Sequence, residues 1–356
     1  MSNGSSGVVS ARPSFGVGGQ DNADLAAGLL SLLIVETVSG LYRCEALFGN
    51  WGSSGGGTGY RYFDRLTLDF GKTFQVKLGT SLLFDGRITA IEGRYPEGAP
   101  PQINVLAEDR LQDLRMTRRT RTFANMDDSA VFSQIASDHG LQTQASLQGP
   151  THKVLAQVNQ SDLAFLRDRA RALGAEVWID GNNLHAAERG SRASGQPVEL
   201  ALGGRLREFS VAADLAGQRD SVTVGGWDVA AKAAQTAQAT DSLISGELEG
   251  GDSGASILSA SLGSRKEALV HGVPLSSAEA QAQADAAFRL IARRFVVGRG
   301  KAQTDERLRV GAFLDLKGLG PLFSGKYYLS EVRHMFDGAA GLRSEFSAER
   351  PSLGKP

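Results

Sequence analysis

Apolar and polar positions in the first third of the chain alternate as β-strands do. Leu30, Leu32, Ile34 and Glu36 alternate with Leu29, Leu33 and Val35 in a run so uniformly apolar that a strand buried on both faces is expected. Tyr42 to Phe48 suits an antiparallel partner across the turn at Ser39-Gly40. Leu66 to Phe70, Phe74 to Leu78, Leu82 to Ile91 and Gln102 to Ala107 follow as short strands, with Gly49 to Gly59 as a long loop. Short strands punctuated by Gly, Pro and Asp predict a small barrel or sandwich.

The period then lengthens. Helix is expected over Asp109 to Met116, and over Asp128 to His139, where Val131, Phe132, Ile135 and Ala136 share a face, Asp127 or Asp128 caps and Gly140 closes. The clearest helix is Ser161 to Leu173: Ser161 caps, Leu163, Leu166, Ala170 and Leu173 form the stripe, and Gly174 ends it. A hairpin follows, Glu176 to Ile179 and Leu184 to Ala187, about the turn Asp180 to Asn183. Strands resume at Val198 to Leu202, Leu206 to Ala212 and Ser221 to Gly225, while Asp228 to Ser264, rich in Ala, Gly, Ser and Gln, reads as loop. A helix over Ser277 to Phe295, capped by Ser276 or Ser277, precedes strands at Arg307 to Phe313, Lys326 to Phe336 and Leu342 to Glu349.

Composition narrows the function classes. The chain has 44 glycines in 356 residues, well above the roughly 7% of ordinary chains, which implies many turns and pliable loops. Its 38 Lys+Arg balance 39 Asp+Glu, which disfavours holding nucleic acid by bulk charge. Cys44 stands alone, so a disulfide framework or Cys-rich zinc module is excluded. The most apolar stretch, Leu25 to Val35, is too short to span a membrane, and Asp21 and Asp24 stand where a signal peptide needs basic residues. A soluble chain made in the cytoplasm is expected.

Candidate chemistry lacks its context. Gly251-Asp252-Ser253-Gly254 and Gly52-Ser53-Ser54-Gly55-Gly56 resemble nucleophile segments, but the second lies in a glycine loop rather than a strand-to-helix elbow. Gly71-Lys72-Thr73 ends like a phosphate loop, yet Leu66 occupies the position of its first glycine. His139, His152, His185, His271 and His334 are scattered without ligand spacing. The carboxylate pairs Asp109/Asp113 and Asp127/Asp128 sit at helix starts, where the dipole favours them. Arg115, Arg118, Arg119 and Arg121 form the one dense basic run, read as a solvated face or a salt-bridged subunit contact in preference to a nucleic-acid contact. Trp178 and Trp227 suit core or interface packing, and three Trp in distant segments do not suggest a sugar platform. No catalytic, cofactor-binding or metal-binding residue is assigned.

Several segments together resemble one family. Phe84 to Ile91 leading to Val105 to Leu111, the arginine run with Thr122-Phe123, Ser161 to Ala170 with Gly174 and Val177 to Asp180, then Gly318 to Gly320, Gly325 to Leu329 and Val332 to His334 before Phe346 are similar, in order and spacing, to the phage late control protein D family. That family includes baseplate hubs of contractile tails and is similar to the N-terminal hub part of VgrG. The resemblance implies a non-enzymatic homotrimer, each chain supplying two small β-barrel domains to a pseudo-sixfold ring between a hexameric tail tube and a trimeric central spike. Because the chain ends at Pro356 without a spike, a separate spike protein is implied.

The expected fold class is mixed β and α+β. A flexible arm (1–23) precedes a first β-barrel domain (24–110), an α+β domain (111–195), a second β-barrel domain (196–227 plus 300–350), an inserted loop and helix region (228–299) and a tail (351–356). Expected partners are the tube, the spike, other baseplate proteins and the tape measure, with no specific nucleic-acid binding and no membrane span. The expected location is the tail baseplate of a phage or phage-tail-like injection particle, assembled in the bacterial cytoplasm. A tail-associated hydrolase or wall-binding tail module is the alternative.

Overall fold

The computed structural model describes residues 12–54, 56–192, 195–228, 232–270 and 276–356. Its framework is a thirteen-stranded sheet. In spatial order this runs through Leu206–Ala213, Val296–Gln303, Gly341–Arg350, Gly325–Asp337, Leu29–Thr37, Arg43–Gly49, Gln102–Glu108, Ser81–Arg94, Thr73–Leu78, Ser14–Val17 and Gln20–Asp21. Val198–Ala201 and Phe313–Lys317 pair with each other off this path. Most strands expected for the two β units therefore lie in one sheet, joined where Leu29–Thr37 runs antiparallel to Gly325–Asp337, whereas Ser221–Asp228 pairs in a separate three-stranded sheet.

Burial follows the pleat. One face of the first strands carries Leu32, Ile34, Cys44, Ala46, Phe48, Ile103, Val105 and Ile88 in a core with Phe15 and Phe74. At the other end Val332, Phe346, Ala302, Leu316 and Tyr327 form a second core. Helices Asp128–Asp138 and Asp162–Ala172, with hairpin Ala175–Asp180 and Asn183–Glu188, enclose a third around Phe132, Leu166 and Val177. Helix Ser277–Ala292 packs Ala280, Ala284 and Phe288 on Val222 and Val224 of strand Ser221–Asp228, making a fourth.

Helix boundaries follow the capping signals: the side chains of Asp127, Ser161 and Ser276 accept from the backbone N–H of Ala130 (2.8 Å), Ala164 (3.2 Å) and Glu279 (3.2 Å). Several expectations are corrected. Gly49 to Gly59 contains a hairpin, Trp51–Ser54 with Gly57–Tyr60. It is anchored by buried Asn50, whose Oδ1 accepts from the backbone N–H of Arg61 and Tyr62. Leu66 to Phe70 is irregular: Arg65 has φ 63° and Leu68 alone is buried, with Leu66 and Phe70 exposed. Arg307 to Ala312 turns rather than extends, and the strand begins at Phe313. The supposed loop 228–264 holds a strand, Ala233–Thr240, a 3-10 turn, Asp241–Glu247, and a helix, Gly254–Leu262. Of the arm, residues 1–11 lie outside the described residues, while Ser14–Val17 is paired along Thr73–Leu78.

Candidate assembly surface

The face of the large sheet opposite the two cores is open and charged. Register places Glu208, Lys301, Glu345, Arg333, Val35, Arg43, Glu108 and Arg87 side by side across eight strands. At about 4.8 Å per strand this row is roughly 34 Å long. Charge alternates along it except at Val35, which separates two arginines that would otherwise repel as direct cross-strand neighbours. Lys301 lies 3.0 Å from Glu208 and Arg115 lies 2.6 Å from Glu108. The next row carries Arg299 and Ser347, and among the described residues neither Arg43 nor Arg299 has an ion-pair partner.

A buried polar junction fixes the α+β unit against this sheet. Glu176 accepts from Arg192 Nη1 (2.7 Å), Arg189 Nε (3.2 Å) and the Tyr328 hydroxyl (2.6 Å). Arg192 donates on to the Tyr42 hydroxyl (2.6 Å), and Arg189 pairs with Glu349. Burial works against the charge of both arginines, yet their acidic and phenolic neighbours raise each above the ordinary arginine range. Burial, then Glu176, lifts the Tyr328 phenol well above its ordinary value. Such a network costs desolvation and specifies geometry more than it adds stability. Beside it, Glu36 accepts from Arg309 and from the Val310 backbone N–H (3.0 Å). Asp109 accepts from the backbone N–H of Tyr42 (2.7 Å) and Leu111 (2.9 Å), and burial raises its carboxyl to about 7.

The sequence candidates separate rather than converge. Ser253 is buried, caps helix Gly254–Leu262 and donates to Asp241 (2.7 Å), so its hydroxyl meets a carboxylate instead of a base imidazole. Ser53 lies in an exposed hairpin. Lys72 folds back on the carbonyls of Leu66 and Thr67, away from any phosphate cradle. His139 meets Asp162 (2.8 Å), His152 meets Asp128 (3.2 Å), His185 stacks on Trp178, and His334 is buried 2.8 Å from Ser344 Oγ; His271 lies outside the described residues. No cluster of three metal-ligating side chains occurs among the described residues. Asp127 caps while Asp128 binds Arg169 at 2.6 and 3.0 Å; Asp113 lies 3.3 Å from Arg87. Of the basic run, Arg119 and Arg121 converge on buried Asp162 (3.1 and 2.8 Å), and Arg121 also reaches Asp138 (2.6 Å).

Trp178 packs under Arg192, whereas Trp227 is half exposed, which corrects the core reading and leaves the interface one. Sequence reading missed the junction residues Glu176, Arg189, Arg192, Tyr328 and Glu349, which no local motif marks. It also missed an aromatic series, exposed Trp51, Tyr60 and Tyr95 about partly buried Phe63, with successive ring centroids 5.3, 5.0 and 6.1 Å apart. Among the described residues no helix is long and apolar enough to cross a membrane.

A family model described as Alg8 N-terminal domain matches residues 67–337. No curated protein matches the chain. Among solved structures, the 43 kDa tail protein of prophage MuSo2 from Shewanella oneidensis superposes with TM-score 0.69 at 14% identity, over 96% of this chain and 98% of that one. The tail protein from Neisseria meningitidis MC58 gives 0.69 at 12% identity, over 95% and 96%. The E. coli c3393 protein, a type VI secretion component described as similar to the T4 tail proteins gp27 and gp5, gives 0.58 at 12% identity, over 92% and 76%. The fold is thus the one these tail proteins share. The family description and these structures name different kinds of protein; the structural match spans nearly the whole chain and is the firmer guide to architecture.

Proposed function

We propose that this chain, which belongs to the family described as Alg8 N-terminal domain, is a structural, non-enzymatic baseplate hub of the late control protein D type, in a contractile phage tail or phage-tail-like injection particle. It acts by symmetry adaptation. Three copies, each with two β units, offer six near-equivalent surfaces to a hexameric tube ring and a threefold seat to a separate spike. Other baseplate proteins and the tape measure complete its partners, and the particle assembles in the bacterial cytoplasm. The observation that carries this reading is the shared sheet: pairing of Leu29–Thr37 with Gly325–Asp337 joins the two β units across one continuous ladder whose outer face carries the charged row. Alternating charge suits such a face to protein partners in defined register rather than to a polyanion.

The test is co-expression with the tube and spike proteins, followed by mass measurement and electron microscopy. A threefold assembly engaging both is expected, and the double variant Lys301→Glu, Arg333→Glu keeps the fold while losing tube contact. A stable monomer that binds neither partner overturns the hub.

A further inference from the structure

Helices Asp162–Ala172 and Ser277–Ala292 border a groove whose floor is made of small side chains, Ala170, Gly174 and Ala286. The approach is close: a Cβ on Gly174 would touch Ala286 at 3.4 Å. Leu290 stands on the rim, 52% exposed. The lining cations are Arg167, Arg171, Arg189 and Arg293, against a single carboxylate, Glu176. Glu176 is already engaged at the junction, and Arg293 is held by Glu247 at 2.6 Å. Arg167 is different. It donates to the Gly40 carbonyl (3.2 Å), its buried Nε has no acceptor among the described residues, and it makes no ion pair there. Among the described residues Arg171 pairs only with Asp168 on its own helix, both side chains exposed, an interaction of little strength.

We propose that this groove docks an acidic segment of a partner protein. A large apolar side chain enters over Ala170 and Ala286 beside Leu290, and flanking carboxylates close on the guanidinium groups of Arg167 and Arg171. The occupant is a partner protein of acidic character, because four arginines line the groove against one carboxylate that is already engaged. This docking site is independent of whether the chain is a hub.

The test uses the full chain and a fluorescein-labelled peptide, Gly-Glu-Asp-Leu-Phe-Asp-Glu-Gly, with a control in which Lys replaces each acidic residue. The acidic peptide binds by fluorescence anisotropy, more weakly at high salt, and the control does not. Arg171→Glu and Leu290→Glu, both at exposed positions, each weaken binding at least about tenfold while leaving the circular dichroism melt unchanged. The proposal is overturned if the acidic peptide binds no tighter than the control or binds the variants equally well. It also falls if sedimentation shows that Arg171→Glu dissociates an oligomer of the chain alone, since the occupant is then a second copy.

Discussion

Asp109 and His334, both buried, make stability depend on pH in opposite senses. Burial raises the Asp109 carboxyl from 3.8 to about 7 and lowers the His334 imidazole from 6.5 to about 3, with Arg309 reinforcing the latter. The folded state therefore holds the Asp109 proton more tightly than the unfolded chain, and its contribution, full below pH 3.8, is lost as pH rises through 7. His334 contributes fully above pH 6.5 and loses its contribution as pH falls toward 3. Urea melts across this range are expected to show Asp109→Asn gaining on the wild type from pH 5 to 8, and His334→Gln gaining as pH falls from 6 to 4, by up to about 1.4 kcal/mol per pH unit. Glycine also acts at this scale. Turn glycines such as Gly181, with φ 54°, are foreseeable from Asp180-Gly181-Asn182, but Gly298 lies beneath the Phe209 ring, where any Cβ would collide. Gly298→Ala should lower stability by about 1 to 3 kcal/mol, read from the denaturation midpoint.

Elements with strong local signals were readable from sequence, including strands with clear alternation such as Leu206–Ala213 and Gly325–Asp337 whose partners lie far along the chain, and weakly patterned ones were not. The three capped helices carry their start signals within four residues, and the hairpin Ala175–Asp180 with Asn183–Glu188 carries its turn. Ala233–Thr240 has weak strand propensity and extends only because it pairs with Ser221–Asp228. Conversely, Leu66 to Phe70 has the alternation of a strand but pairs with no strand among the described residues. The charged rows escaped notice for a related reason: Glu345 and Arg333 become neighbours only through register. The aromatic hairpin hangs on Asn50, and Asn50→Ala, which leaves the Tyr62 N–H without its acceptor and the Arg61 N–H with the residue-50 carbonyl alone (3.3 Å), should cost about 1 to 3 kcal/mol. Equilibrium urea unfolding measures that loss, and increased proteolysis between residues 51 and 61 locates it.

At the scale of the molecule, the first β unit is incomplete without the last strands. Phe336 belongs to its core, and Leu29–Thr37 is covered on one edge only by Gly325–Asp337. A fragment of residues 12–110 therefore exposes a long apolar edge and is expected to aggregate or to show poorly dispersed amide resonances, where the intact chain is folded. Closing a sheet between strands from opposite ends of the sequence is also slow, so refolding should be limited by this pairing and be slowed by substitutions such as Ile34→Ala. The same pairing has a mechanical consequence. Tension applied along these two antiparallel strands loads the hydrogen bonds from Ser31 to Thr37 together in shear, instead of peeling them one at a time. A pull transmitted through this seam would meet the resistance of the whole ladder at once, while its force bypasses the helices and leaves their packing undisturbed.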